Sequence, residues 1–272
     1  MSLIFFITIN KNMQKSLTLL LFVLFVTLSF SQEPNKKLHE LSIYPTIMVT
    51  DQGSNTGGSG FITRSTKYGN KYRNAIITAN HIVSGNGPYY AKIFKHKNWS
   101  EIESEKIFPM YVYAYKEQDD LAIGVFETDE KMPTVIIDFD HKLFIGSKVF
   151  HVGCGMMDDV RIDFGEITQP KTKIPKTFKD TIRTNAYSIV GDSGGPLFDS
   201  NSYKVIGVCK AIRSLNDQLL SHQSYYTDIK MLKIWNEEMD NSLASTYIEK
   251  EAFPVLPFVK MDLQKYKYKL PD

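Results

Sequence analysis

From Tyr44 to Ile212 the chain is a succession of short segments rich in β-branched and aromatic residues. Glycine, asparagine and aspartate separate them, as in "DQGSNTGGSG" and "SGNGP". The first set is "YPTIMVT" (44–50), "SGFITRS" (59–65), "NAIITA" (74–79), "YYAKIF" (89–94), "MYVYAY" (110–115) and "LAIGVFE" (121–127). The second is "TVIIDF" (134–139), "SKVFHVG" (147–153), "RIDFGEIT" (161–168), "TIRTNAYS" (181–188) and "YKVIGVCKAI" (203–212). Short strands at this spacing indicate an antiparallel sandwich or barrel. The polar stretch "ETDEKMP" (127–133) reads as a linker between the sets. A helical pattern begins only after residue 226, where Ile229, Leu232 and Trp235 recur at i, i+3 and i+6, with Ile234 and Met239 nearby. No repeat of fixed period is visible.

The 272 residues give room for a substantial core, and 43% hydrophobic with 23% charged residues marks a globular chain. A net charge of +2 is too small to imply a nucleic-acid or membrane field. Residues 13–31, "MQKSLTLLLFVLFVTLSFS", depart from this average. Lys15 supplies a positive start, Leu17 to Phe30 an apolar run, and Ser29 and Ser31 small residues before Gln32. This is the pattern of a secretory signal peptide, with Met13 as a possible true start. The run is short for a membrane span of roughly 20 residues. An uncleaved N-terminal anchor is the alternative, and only that would bring a membrane in as a partner. The expected location is secreted or periplasmic.

Cys154 and Cys209 are the two cysteines. In an exported protein they can pair; buried free thiols are the other reading. Neither has a second cysteine or histidine at ligand spacing, so no metal site is expected.

The chemistry concentrates in "GDSGGPLF" (191–198). Acyl transfer by serine needs a base, a group that orients the base, and backbone donors for the oxyanion. Ser193 offers the nucleophile. Gly191 lets the chain turn sharply and aim the Gly191 and Ser193 N–H groups into one pocket. The candidate bases are His39, His81, His96, His141, His151 and His222. His81 lies in "IITANHIVSG", just past an apolar strand, where a rigid sheet edge can hold it. His96 sits in a basic, surface-like run, His141 in a turn, and His151 inside a strand, as a hydrogen-bonded core histidine would. For the orienting carboxylate, "KEQDDLAIGVFE" offers Asp120 facing inward and Asp119 as its solvated neighbour.

Together, "GSGFI…ITANHIV…DDLAIGV…GDSGGPLF…VIGV" closely resembles the chymotrypsin-like (trypsin-fold) serine proteases, over roughly residues 43–240. "TNAYSIVGDSGGPLF" is similar to the serine loop of bacterial secreted proteases of the glutamyl-endopeptidase and HtrA type, and "YYTDIKMLKIW" resembles the strand and helix that close the fold. The resemblance implies an all-β chain of two antiparallel six-stranded β-barrels with a C-terminal α-helix. The corresponding boundaries are 1–31 for the signal, 41–130 and 131–225 for the barrels, 226–240 for the helix and 241–272 for a tail of unassigned role. It implies a serine endopeptidase acting on protein or peptide substrates without metal or organic cofactor, as a monomer. Ser193 becomes the nucleophile, His81 the general base then acid, Asp120 its orienter, and Gly191 and Ser193 the oxyanion hole. Tyr187, Ser188, Ile189, Val208, Cys209 and Lys210 are expected to line the primary substrate pocket.

Three points depart from the family pattern or stay open. No aspartate stands at Tyr187, where a Lys/Arg preference would need one; Lys210 would favour an acidic side chain if it faced the pocket. Asp192 precedes the serine, as in enzymes whose freed N-terminal amine pairs with it, but no "IVGG" start is present. Asp192 is therefore expected to brace its own loop. A catalytically inactive homologue serving as a binding module is the alternative function. The G-x-S-x-G elbow of esterases fits poorly, because Pro196 and a strand-like "LFDS" follow the serine where that fold needs a helix.

Overall fold

The computed structural model describes residues 33–52, 56–97, 101–172, 181–215 and 218–235. The expected signal segment (1–31), the tail (241–272) and residues 236–240 of the expected helix lie outside them.

Among the described residues, twelve strands form two closed antiparallel barrels. The first holds β1 (Thr46–Asp51), β2 (Thr56–Tyr68), β3 (Lys71–Thr78), β4 (Tyr89–Lys97), β5 (Glu101–Lys116) and β6 (Leu121–Thr128), in the order β1-β2-β3-β6-β5-β4. The second holds β7 (Lys148–Gly153), β8 (Arg161–Gln169), β9 (Thr181–Thr184), β10 (Pro196–Asp199), β11 (Val205–Leu215) and β12 (Gln218–Asp228). Its order, β7-β8-β9-β12-β11-β10 read around the closed ring, repeats the topology of the first. The expected fold class is thus observed. A short helix, α1 (Glu33–Leu38), precedes the first barrel.

Strand alternation explains the packing. Inward residues Ile47, Ile62, Ile76, Ala91, Ile93 and Phe126 fill the first barrel. Val149, Ile167, Ile182, Leu197, Cys209 and Tyr226 fill the second. The outward faces of both barrels share a third core, where Phe61, Ile77 and Leu121 meet Phe150, Val152, Phe198 and Val208. Each fully buried Phe or Ile there contributes about 1.5–3 kcal/mol. This shared core fixes one barrel against the other and so fixes the cleft between them.

Three sequence expectations are corrected. Residues 134–139 are not a strand but a strap across both barrels: Val135 N–H donates to Ile62 O at 2.9 Å, and Val205 N–H to Ile136 O at 2.8 Å. Its apolar side chains serve the shared core instead of a ladder; Val135 is buried there. The segment 181–188 stays in the sheet only to Thr184, because the chain must leave the barrel to build the serine loop. Strand β12 continues to Asp228, so the terminal helix starts near residue 230, not 226, and its described part is 230–235. Ile229 and Trp235 bury their side chains in the shared core, as the helical spacing requires.

Candidate active site

His81 lies in a single 3-10 turn, Asn80–Ile82, immediately after β3. Ile82 is buried and anchors that turn, leaving His81 at its exposed corner. Asp120 ends the turn between β5 and β6 with φ 54° and ψ 47°. Aspartate tolerates this left-handed conformation better than most residues. The turn points three acceptors at one short segment. Asp120 O accepts the Asn80 N–H at 3.2 Å. Its Oδ1 accepts the His81 N–H at 2.9 Å, and its Oδ2 lies 2.8 Å from His81 Nδ1. An ionised carboxylate only accepts, so this bond places the ring proton on Nδ1 and leaves Nε2 as the basic nitrogen. Asp119 is not the solvated neighbour expected. Its carboxylate pairs with Lys116 at 3.1 Å with only 14% of the side chain exposed, and its carbonyl accepts from Thr227 Oγ1 at 2.7 Å.

The serine loop belongs to the second barrel but rests on the first. Ser59 N–H of β2 donates to Ser193 O at 2.7 Å. A Cβ on Gly58 would fall 2.6 Å from Ser193 O and 2.7 Å from the Ile82 side chain, so β2 must be glycine there to let the loop reach the histidine turn. Ser193 Oγ makes no hydrogen bond among the described residues. Contacts of this kind commonly tighten only when substrate binds.

Gly191 has φ +97°, and a Cβ would sit 2.6 Å from Cys154 O. The Val190 carbonyl accepts from Met156 N–H at 2.6 Å, and the Asp192 carbonyl from Gly195 N–H at 2.9 Å. In a trans peptide the N–H points opposite to the C=O. These two bonds therefore turn the Gly191 and Ser193 N–H groups away from the protein's own acceptors. Neither donates a hydrogen bond among the described residues. An unpaired backbone N–H at a buried glycine is rare in folded proteins, and here the pair offers donors for an incoming oxygen.

Asp192 is fully buried. Its Oδ2 accepts from Arg161 Nη2 at 2.6 Å and from Ile189 N–H at 2.8 Å. Its Oδ1 lies 3.6 Å from His151 Nε2. Burial pushes this carboxyl up, but His151, Arg161 and the Ile189 N–H together outweigh it and hold it below the usual carboxylate range. Arg161 also bonds Asp163 at 2.5 Å and stands over the Tyr187 ring. The loop is thus braced by a side chain of β8. Neither Arg161 nor the role of His151 was legible in the sequence. The only signal is a cation in the hairpin partner of "VFHVG", where the register sets Arg161 opposite Gly153.

The six pocket residues do not form one lining. Val208 points into the shared core and Cys209 into the second barrel. Ser188 is buried with its hydroxyl 3.0 Å from Tyr226 Oη. Ile189 is half-buried and Tyr187 exposed. Lys210 is half-buried. Burial pulls its ammonium down, against the nearby Asp120 and Asp119 carboxylates, which hold it up. Its charge therefore lies within the field of the acidic turn.

Cys154 and Cys209 are both free and buried, which corrects the possible disulfide: they serve different cores. Burial pushes both thiols well up. His96 is not a surface residue; 6% of its side chain is exposed and its ring stacks on Tyr44. His151 is in the core as expected, but neither ring nitrogen has a hydrogen bond within the described residues. Among those residues no group of three or more His, Cys, Asp or Glu is placed to hold a metal ion. No described helix is long and apolar enough to cross a membrane.

A family model described as a trypsin-like peptidase domain matches residues 58–208. Among solved structures, one titled as the crystal structure of Deg5 aligns with a TM-score of 0.59 at 18% identity. It covers 79% of this chain and 96% of that one, and at this identity the likeness is one of fold. No curated protein matches the chain.

Proposed function

The chain belongs to the trypsin-like peptidase family, and from that premise we propose that it is an exported serine endopeptidase whose triad is His81, Asp120 and Ser193. The observation that carries this reading is the 2.8 Å bond between His81 Nδ1 and Asp120 Oδ2, in a turn packed beside the serine loop. Ser193 Oγ attacks the scissile carbonyl carbon and His81 Nε2 takes its proton. The carbonyl oxygen becomes an oxyanion facing the Gly191 and Ser193 N–H groups. His81 then protonates the leaving amine as the C–N bond breaks, and the acyl-Ser193 ester remains. Water, deprotonated by the same nitrogen, hydrolyses that ester and restores the hydroxyl. Asp120 stays ionised throughout and stabilises the imidazolium.

No activation cut is needed in this account. Arg161 supplies the cation that a freed amine supplies elsewhere, and it is part of the folded chain. Export rests on the N-terminal segment "MQKSLTLLLFVLFVTLSFS". The Asp119 and Asp120 carboxylates already offset the Lys210 charge, so it gives little ground for an acidic-residue preference.

Purified protein without residues 1–31, incubated with a mixed peptide library, tests the reading. Cleavage by wild type that disappears in Ser193→Ala is the expected result. A well-folded wild type that cleaves nothing would favour the binding-module alternative.

A further inference from the structure

The glycine that makes the oxyanion hole possible also makes it soft. With φ at +97° and no Cβ, Gly191 can rotate its following peptide at little steric cost. Something must hold that peptide, and the structure shows what does. Ser59, fully buried on β2, donates its hydroxyl to Gly191 O at 2.8 Å. Ser59 Oγ in turn accepts the Cys154 N–H at 2.7 Å. Ser59 N–H takes Ser193 O, and Ser59 O accepts from Thr78 Oγ1 at 2.7 Å, three residues before His81. One residue of the first barrel thus bonds the oxyanion glycine, the nucleophile's own carbonyl, the turn that carries Met156, and the strand leading to the base.

We propose that Ser59 is a positioning residue for catalysis: its hydroxyl, by clamping the Gly191 carbonyl, keeps the Gly191–Asp192 peptide from rotating and so keeps the oxyanion hole formed before substrate arrives. Asp192 N–H, at the other end of that peptide, donates to Ile189 O at 3.1 Å, so the peptide is held at both ends. Without the Ser59 hydroxyl, a buried carbonyl and the buried Cys154 N–H lose their partner together. The peptide then gains by turning its carbonyl toward the hole, where water or its own N–H donors can meet it. The substitution takes no hydrogen bond from the Ser193 hydroxyl or the His81 ring, since Ser59 makes no hydrogen bond to either side chain.

This inference rests on the serine-protease reading above. The test is Ser59→Ala, assayed with a peptide p-nitroanilide that wild type cleaves and with the peptide aldehyde of the same sequence. The aldehyde forms a tetrahedral adduct that needs the hole, whereas the Michaelis complex does not. The expected result is a roughly 10–100-fold fall in kcat with KM within about twofold, smaller than the roughly 10²–10³-fold cost of losing an oxyanion donor outright. The aldehyde inhibition constant should rise by the same factor. Should the variant be too unstable for kinetics, the rise in Tm on adding aldehyde is the second measurement, because a ligand that binds only the formed site stabilises by mass action. A large shift in wild type and little shift in the variant supports the proposal. Wild-type kcat and aldehyde affinity in Ser59→Ala, an equal aldehyde-induced shift, or a loss confined to KM would overturn it. An inactive wild type would instead remove the protease reading itself.

Discussion

Replacing Arg161 by methionine removes the cation from Asp192 and leaves most of the side-chain volume. The magnitude follows from the geometry. Arg161 Nη2 stands 2.6 Å from a carboxylate with no exposed surface. At an effective dielectric constant of about 20 the bare attraction is roughly 6 kcal/mol. Desolvation of the guanidinium returns part of it, and breaking such pairs costs about 3–5 kcal/mol. Arg161 keeps 27% of its side chain in water, so the lower end, about 3 kcal/mol, is the better figure. The strain falls on the loop, because Asp192 can lower it by turning outward and taking Gly191 and Ser193 with it. At 1.4 kcal/mol per tenfold, kcat/KM should fall by about 100-fold, measured with a p-nitroanilide peptide. Adding Asp192→Asn removes the stranded charge and should recover Tm more than activity. The pH behaviour has a definite sign. The folded Asp192 pKa is depressed, so its contribution is complete above the unfolded value of about 3.9 and disappears only as pH falls through the folded one. In the wild type Asp192 therefore stays ionised from pH 5 to 8, and the pH dependence of wild-type activity in that range should owe nothing to this carboxyl. A folded Arg161→Met enzyme with wild-type kcat/KM would refute the bracing role of Arg161. So would one whose activity required a new N-terminus.

Asp120→Asn should fold and lose roughly 10⁴-fold in kcat, since an amide cannot hold the imidazolium; circular dichroism and steady-state kinetics check it, and unchanged turnover would end the assignment. Dithiothreitol should leave Tm unchanged, because Cys154 and Cys209 are not joined; a reductant-sensitive melt would contradict the structure. Both thiols should also resist Ellman's reagent until the protein unfolds, as burial keeps them protonated.

The motifs around Ser193, His81 and Asp120, the proposed triad, stand out in the sequence because each is written locally. Each of the three sits in a short motif whose residue types have few other uses together. The strands were legible for the same reason, since alternation is a local property. What was not legible depends on register. Arg161 reaches Asp192 only because β7 and β8 pair Gly153 with Arg161, and a Cβ at Gly153 would lie 2.6 Å from the Asp192 carboxylate. Ser59 meets Gly191 across 132 residues, from the other barrel. The segment 134–139 carries a strand's composition, yet its partners are a carbonyl of β2 and one residue of β11. Asp119 looked solvated because Thr227, whose hydroxyl donates to its carbonyl, lies 108 residues away along the chain.

The central claim is a serine site complete in the folded chain without an activating cut. Intact mass spectrometry after brief exposure to a fluorophosphonate tests it most directly, on protein whose N-terminus begins at Gln32. A single adduct is expected, mapped to Ser193, on a chain with its N-terminus unchanged, and none in Ser193→Ala. No adduct on the folded protein, or an adduct only after residues are trimmed from the N-terminus, would contradict it.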